Sequence, residues 1–215
     1  MENLNIKRFI YLFVIVSAIV WVILGKARNL DLAKLSDFFR LIPKVVTIDL
    51  CLWWVFTKWG WRLKVFKNWL VPFPNLNGTW QGTIKTTWVD PVTKKSPGPI
   101  PVILTIKQTF SKISCIMRTK EMVSHSYSES FRMEPDNQIK QITFSYNSRP
   151  KVTVADRSKI HDGTIVFEII GDPVKKLYGQ YWSSRRTTGE IDMKFREKKI
   201  LDDYPEDLGS HPMSE

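Results

Sequence analysis

The sequence is poor in the residues on which most enzymes and metal sites depend. It has three histidines and two cysteines in 215 residues. It also lacks the H-E-x-x-H, paired-cysteine, Walker and Rossmann glycine patterns of zinc sites and nucleotide-dependent enzymes. His125, His161 and His211 are far apart in the sequence and belong to no such motif. We therefore expect a protein that is not an enzyme and that has neither a metal site nor a cofactor.

The two cysteines do not predict a disulfide framework. Cys51 lies in an apolar stretch and Cys115 in a β-type run, so the two side chains are not expected to meet. A reducing, cytosolic location for the part of the chain that contains Cys115 fits this cysteine usage.

Long apolar runs are present near the N-terminus. Residues 9–24 read FIYLFVIVSAIVWVIL, and a helix over 6–25 would have the roughly 20 residues needed to cross a bilayer. A second run predicts another membrane helix at about 42–60, with Pro43 near its start. No small-x-small cleavage site follows the first run, which argues against a signal peptide. The sequence thus predicts a two-helix transmembrane hairpin.

Asp49 is the exceptional residue of the second run, because a carboxyl group inside a bilayer is costly and usually faces another helix or water. It predicts a helix–helix contact, either within the chain or between subunits. The alternative is a span shifted in depth, which would leave Asp49 at the membrane periphery.

A basic, aromatic junction follows at 58–70, where four aromatic side chains alternate with four Lys or Arg residues. Six of the nine tryptophans lie before residue 72. Such a mixture is typical of the lipid headgroup region. We therefore assign 1–71 to a first domain that contacts membrane lipids, and we expect the rest of the chain to lie on the cytoplasmic side.

Residues 72–196 have the pattern of an all-β domain. After the stiff Val71–Asn75 linker, turn signals separate short runs with partial alternation and many β-branched or aromatic residues. These runs predict eight strands, at about 77–89, 100–110, 112–119, 122–133, 138–147, 163–170, 175–183 and 187–196. Consecutive short strands close most easily into a barrel, which leaves no exposed edge. We therefore expect a small antiparallel up-and-down eight-stranded β-barrel.

Two glycines of the first predicted strand, Gly78 and Gly82, share a face with Trp80. Glycine at these positions lets the strand bend and a neighbouring strand approach closely. Trp80 then either closes one end of the barrel or is an ordinary core residue.

Charge is unevenly distributed along the chain. The formal net charge of +11 comprises +7 in 1–71, +8 in 72–196 and −4 in 197–215. A basic small barrel suits a ligand that carries phosphate. The acidic composition of 197–215 predicts a disordered tail.

The predicted hairpin at 177–190 brings aromatic rings, hydroxyls and two arginines to one rim of the barrel. Arginine offers a fork of donors to phosphate, and a tyrosine ring can stack on a base. The candidate ligand-binding residues are Arg186, Tyr181, Ser183 and Thr188, followed by Arg185 and Trp182. Alternation does not decide which arginine faces inward, and a solvated hairpin tip is the competing interpretation.

Four features together resemble the two-transmembrane, β-strand-rich effectors of bacterial cyclic-oligonucleotide-based anti-phage signalling systems (CBASS). They are the two apolar spans, the basic tryptophan-rich junction, the N-x-N-G-x-W-x-G strand at 75–82 and the G-x-Y-W-x-x-R-R-T-x-G hairpin at 179–189. The order of these parts along nearly the whole chain is more specific than any one of them.

This resemblance implies a minimal β-barrel that binds a cyclic dinucleotide made by a cognate nucleotidyltransferase, rather than DNA or RNA. Binding would promote homo-oligomerisation and disruption of the bacterial inner membrane, with growth arrest or death of the infected cell. Two other functions remain open at this point. The barrel could be a membrane-tethered, lipocalin-like carrier of a lipid or other apolar molecule, or a structural anchor that binds another protein.

Overall fold

A computed structural model describes residues 6–30, 34–91 and 93–213. The chain forms two compact units that divide between Phe73 and Pro74. The first is helical, with α1 at Ile6–Ala27 and α2 at Leu35–Lys58, followed by short 3-10 helices at Gly60–Arg62 and Lys64–Phe66.

Of the helices in the described residues, α1 has the length and apolar composition of a membrane span, and α2 does not meet the same criteria. The transmembrane hairpin is therefore not confirmed as predicted. The 24-residue α2 begins seven residues earlier than expected, which places Pro43 inside the helix instead of at its start. Charged residues in its first half, such as Asp37 and Arg40, distinguish it from α1.

Asp49 joins the two helices. Ser17 Oγ on α1 donates a hydrogen bond of 2.7 Å to Asp49 Oδ2 on α2, and Asp49 is only 6% exposed. Among the described residues, Asp49 Oδ1 has no hydrogen-bond partner. Of the two interpretations of Asp49, the structure thus supports the helix–helix contact, and it forms that contact within one chain.

The second unit is a closed barrel in which each strand pairs with its sequence neighbours and β1 pairs with β8. All of these pairings are antiparallel. The predicted up-and-down eight-stranded barrel is confirmed. The strands are β1 Gly78–Thr86, β2 Ile100–Gln108, β3 Ile113–Arg118, β4 Met122–Glu134, β5 Ile139–Pro150, β6 His161–Ile170, β7 Lys176–Ser183 and β8 Thr188–Glu197.

Alternate residues of the strands fill the barrel interior with one hydrophobic cluster that includes Trp80, Phe144 and Phe167. Trp80 is 1% exposed, and its Nε1–H donates a 3.0 Å hydrogen bond to the Leu76 carbonyl. Buried tryptophans usually satisfy their single donor in this way. Trp80 is thus a core residue near the end of the barrel at which β1 begins.

The loops fall at two rims, because consecutive strands run in opposite directions. The upper rim consists of the β1–β2, β3–β4, β5–β6 and β7–β8 loops, including 119–121, 151–160 and 184–187. The lower rim consists of 109–112, 135–138 and 171–175, with the start of β1 and the end of β8.

Residues 198–213, which we call the C-terminal strap, have defined contacts where the sequence predicted disorder for 197–215. The strap contains a 3-10 helix at Glu206–Leu208. Thr79 Oγ1 donates to the Lys199 carbonyl and accepts a hydrogen bond from the Leu201 amide, and Arg196 pairs with Asp207. These hydrogen bonds and this ion pair give backbone and charged groups of the strap partners that are distant in the sequence. The composition of the segment does not reveal such partners.

Candidate functional site

A cavity of about 150 Å³ opens at the upper rim. Its apolar wall comes from strand residues such as Ile84, Ile100, Met117 and Met122, and its polar groups come mainly from the loops and strand ends above them. The buried core fills the barrel below. The site is therefore a shallow pocket at one rim and not a tunnel along the barrel axis.

Three aromatic side chains line this pocket, namely Trp88, Tyr146 and Tyr181. Tyr181 Oη–H donates a 2.9 Å hydrogen bond to Thr86 Oγ1. Burial raises the pKa of both Tyr146 and Tyr181 above the ordinary value. Both phenols are therefore neutral, and they add no negative charge to the pocket.

Two arginines line the pocket, and they differ in the charge of their partners. Arg157 forms an ion pair with the carboxylate of Glu121, which is 6% exposed. Arg185 Nη1 donates a 2.9 Å hydrogen bond to Ser158 Oγ, a neutral partner. Within the described part of the chain, Arg185 has no ion pair. Its positive charge is thus not neutralised and suits an anionic ligand group.

A pair of buried hydroxyls lies between β4 and β5 in the same wall. Ser124 Oγ lies 2.9 Å from Ser148 Oγ, and the residues are 6% and 2% exposed. Their register places Ser124 directly opposite Ser148. Because each hydroxyl has one donor and two acceptor sites, the pair retains hydrogen-bonding capacity that a polar ligand group could use.

His161 lies at the start of β6 beside these groups. Its Nδ1 is 3.0 Å from the Lys159 carbonyl, which can only accept, so Nδ1 carries the proton of the neutral ring. The ring centroid lies 6.4 Å from that of Tyr146. Burial, followed by the nearby Arg185 charge, lowers the pKa of His161, while the Lys159 hydrogen bond and Asp162 oppose this shift.

This lowered pKa predicts a loss of stability at mildly acidic pH. The ordinary pKa of histidine is 6.5, so below about pH 6.5 the unfolded chain binds a proton at this position that the folded chain resists, and stability falls as pH falls. Urea unfolding at pH 7.5 and pH 5.5 should show a smaller decrease for His161→Gln than for the parent protein. His125→Gln is the control, because His125 is exposed. An unchanged decrease in His161→Gln would contradict this prediction.

The structure brings two of the six predicted ligand-binding residues, Tyr181 and Arg185, into the cavity wall. The other four lie around the same hairpin outside that wall. Ser183 Oγ is 2.7 Å from Thr187 Oγ1, and Thr188 Oγ1 is 3.0 Å from Thr87 Oγ1. Trp182 is 48% exposed, and Arg186 is exposed at the turn with a φ of 59°.

Sequence reasoning missed most of the pocket, including Glu121, Ser124, Ser148, Arg157 and His161. These residues come from the β3–β4 loop, β4, β5, the β5–β6 loop and β6. No local motif connects them, because only closure of the barrel brings them together. Pairing of predicted β4 with β5 was the one signal that could have placed Ser124 near Ser148.

The described residues contain no group of three or more His, Cys, Asp or Glu side chains placed to hold a metal ion. The polar groups of the pocket are instead hydroxyls, the imidazoles of His161 and His211, one ion pair and an unneutralised guanidinium. Such a set can bind a polar ligand with negative charge and flat rings.

Comparison with known proteins agrees with this combination of fold and site. The family model "Cap15, cyclic dinucleotide receptor domain" matches residues 71–195, a range that contains all eight strands except the end of β8. CD-NTase-associated protein 15 of Staphylococcus schleiferi is 25% identical over 186 residues, which cover 86% of this chain and 88% of that relative. The resemblance found in the sequence is thereby confirmed. The family model matches more than half of the chain, and the matched part forms the closed eight-stranded barrel with the polar, aromatic rim pocket. This protein is therefore a member of the Cap15 cyclic dinucleotide receptor family.

Proposed function

We propose that the barrel is a receptor, not an enzyme, and that it binds a cyclic dinucleotide in the upper-rim cavity. The observation that carries this proposal is the unneutralised Arg185 beside two neutral tyrosines, within the segment that the family model matches. A CD-NTase, a nucleotidyltransferase that the name of the relative associates with it, would supply the ligand.

The chemistry of the pocket suits the parts of such a ligand. A cyclic dinucleotide carries two phosphates and two bases. The Arg185 guanidinium donates to a phosphate, and the rings of Tyr181 and Trp88 offer faces for stacking. The Ser124–Ser148 pair provides hydroxyls for a phosphate or a base edge.

In this proposal, Ser183 and Thr188 stabilise the β7–β8 hairpin and do not contact the ligand. The hydroxyl pairs of Ser183 with Thr187 and of Thr188 with Thr87 fix the β7–β8 turn that presents Arg185. Trp182 and Arg186 are exposed and are not among the residues that line the cavity, so we assign them no ligand contact.

We further propose that ligand binding is coupled to the membrane. The apolar α1 would insert into the bacterial inner membrane, α2 would complete the membrane domain, and the barrel would face the cytoplasm. Ligand-induced homo-oligomerisation would then disrupt the membrane and stop growth of a phage-infected cell. Support for this output comes from the length and composition of α1 and from the basic tryptophan-rich junction.

Calorimetric titration of the full chain in detergent tests the receptor function. Cyclic di-AMP, cyclic di-GMP, cyclic GMP–AMP and the pyrimidine-containing cyclic dinucleotides form the panel, with linear dinucleotides of the same bases as controls. We expect at least one cyclic compound to bind at micromolar or tighter affinity, and its linear counterpart to bind more weakly. A protein that melts cooperatively and binds none of the panel would reject the proposal.

Dye release from vesicles tests the membrane output separately. With the chain reconstituted, the compound that binds should increase dye release, and the Arg185→Ala variant should need about tenfold or more of the compound for the same release. Binding without release would leave the receptor function in place and reject membrane disruption.

A further inference from the structure

The C-terminal strap connects the lower rim of the barrel to the cavity at the upper rim. β8 ends at Glu197, which pairs with Thr79 at the start of β1. His211 and Met213 nevertheless line the upper-rim cavity. The nine residues of β1 extend about 30 Å, and the 14 residues from Glu197 to His211 can reach up to about 46 Å. The strap is therefore long enough to return along the full height of the barrel.

The first part of the strap is firmly attached. Thr79, which is fully buried, contacts it through two hydrogen bonds, of 2.6 Å to the Lys199 carbonyl and 3.1 Å from the Leu201 amide. Arg196 Nη1 lies 3.0 Å from Asp207 Oδ2. These contacts fix the strap up to the 3-10 helix at Glu206–Leu208.

The last part, residues 210–213, which we call the strap tip, is held differently. His211 is 8% exposed, but its Nδ1 accepts the Met213 amide hydrogen at 3.2 Å. A ring nitrogen that accepts a hydrogen bond carries no proton, so the contact of Nδ1 with Glu121 Oε2 at 3.5 Å is not a charged pair. Burial and the Arg157 charge also lower the pKa of His211, against the opposing effect of Glu121. The tip is thus held by packing and local bonds, without a strong ion pair.

Space in the cavity is limited while the tip is in place. The cavity measures about 150 Å³, whereas pockets for small ligands usually measure about 300–1,000 Å³. His211 and Met213 are two of the side chains that bound it. Gly209, with a φ of 80°, precedes the tip and gives the chain a turn between the attached part and the inserted part.

We propose that the strap tip is an autoinhibitory plug, which an anionic ligand of the size of a dinucleotide must displace to enter the cavity. This inference rests on the proposed receptor function of the same cavity. Its consequence is a lower apparent affinity, because ligand binds only the fraction of molecules in which the tip is released. If about one molecule in ten is open, the apparent affinity is about tenfold weaker than that of the open pocket.

Calorimetry on the full chain and on a chain that ends at Gly209 tests the plug, with the panel of cyclic dinucleotides described above. We expect about tenfold tighter binding by the shortened chain. Equal affinity of the two chains would overturn the plug and leave the receptor function intact. Absence of binding by both folded chains would reject the receptor function, and the plug with it.

Point variants keep the test valid if the shortened chain does not fold. His211→Ala should strengthen binding several-fold in the full-length protein, and Ser210→Ala is the matched control because Ser210 is exposed next to it. Hydrogen exchange of the parent protein provides a second readout. Saturating ligand should speed exchange of the Met213 amide, and slower or unchanged exchange would contradict displacement of the tip.

Discussion

Arg185→Ala is expected to weaken cyclic dinucleotide binding by about tenfold or more. Hydrogen bonds to charged groups contribute about 1.5–3 kcal/mol, which corresponds to roughly 10–150-fold in affinity. Among the residues that the structure describes, Ser158 is the one hydrogen-bond partner of the Arg185 side chain, so removal of this side chain leaves no buried carboxylate unpaired. Calorimetry should therefore report lost ligand contacts, with little change in the stability of the barrel.

Arg186→Ala is the matched control for this variant. It removes the same charge one residue away, from an exposed position at the turn, and it should bind nearly as well as the parent. Arg185→Lys should give an intermediate loss, because lysine keeps the charge but lacks the planar fork of donors. A larger loss in Arg186→Ala than in Arg185→Ala would place the ligand outside the cavity and contradict the account.

Gly82→Val is expected to prevent formation of the closed barrel. A Cβ atom at Gly82 would lie 1.8 Å from the Asp192 carbonyl oxygen and 2.9 Å from the Met193 Cα. Both atoms belong to the backbone of β8, which pairs with β1 to close the barrel. Relief of this overlap requires separation of the two strands, so we expect a loss of more than about 4 kcal/mol in the free energy of unfolding.

Circular dichroism and thermal unfolding measure this effect. The matched control is Gly98→Ala, since a Cβ atom at Gly98 has no atom within 4 Å, and this variant should melt near the parent temperature. A Gly82→Val protein with a parent-like melting curve would show that β1 and β8 do not approach as closely as described.

The strands were predictable because their signals are local. Every strand was predicted within three residues at each end, since Pro, Gly and Asp turn signals separate runs of β-branched and aromatic residues. The close approach at Gly82 was predicted for the same reason, from two glycines on one face of β1. The antiparallel order was predicted because consecutive short strands close most easily into a barrel.

The second helix was less predictable. Apolar content placed it at 42–60 as a membrane span, but α2 begins at Leu35, within a segment that carries charge. Helix formation depends on backbone bonding and on packing against α1, whereas a hydropathy window responds only to apolar side chains. The Ser17–Asp49 hydrogen bond shows how a residue that weakens the apolar signal contributes to helix packing.

The binding site was the least predictable part. The hairpin at 177–190 pointed to the rim at which the cavity opens, but the choice between Arg185 and Arg186 depended on the geometry of the turn. Arg186 occupies the left-handed region, and its amide donates to the Ser183 carbonyl at 2.9 Å, which leaves Arg185 beside the cavity. The other contributors are distant in sequence and meet only through the closed sheet.

The packed interior also bears on the lipid-carrier alternative. Such a carrier requires a long apolar cavity, and the interior of this barrel is filled by side chains such as Phe144, Phe167 and Leu177. The remaining space lies at the rim beside an arginine. This arrangement favours a compact, charged ligand over an acyl chain.

Hydrogen exchange of the full chain with and without saturating cyclic dinucleotide tests the location of the ligand most directly. We predict slower exchange at the upper rim, in 84–88, 119–124, 146–148 and 181–187, and no change in the lower-rim loops 109–112 and 171–175. Protection confined to the lower rim or to the outer wall of the barrel would contradict this prediction.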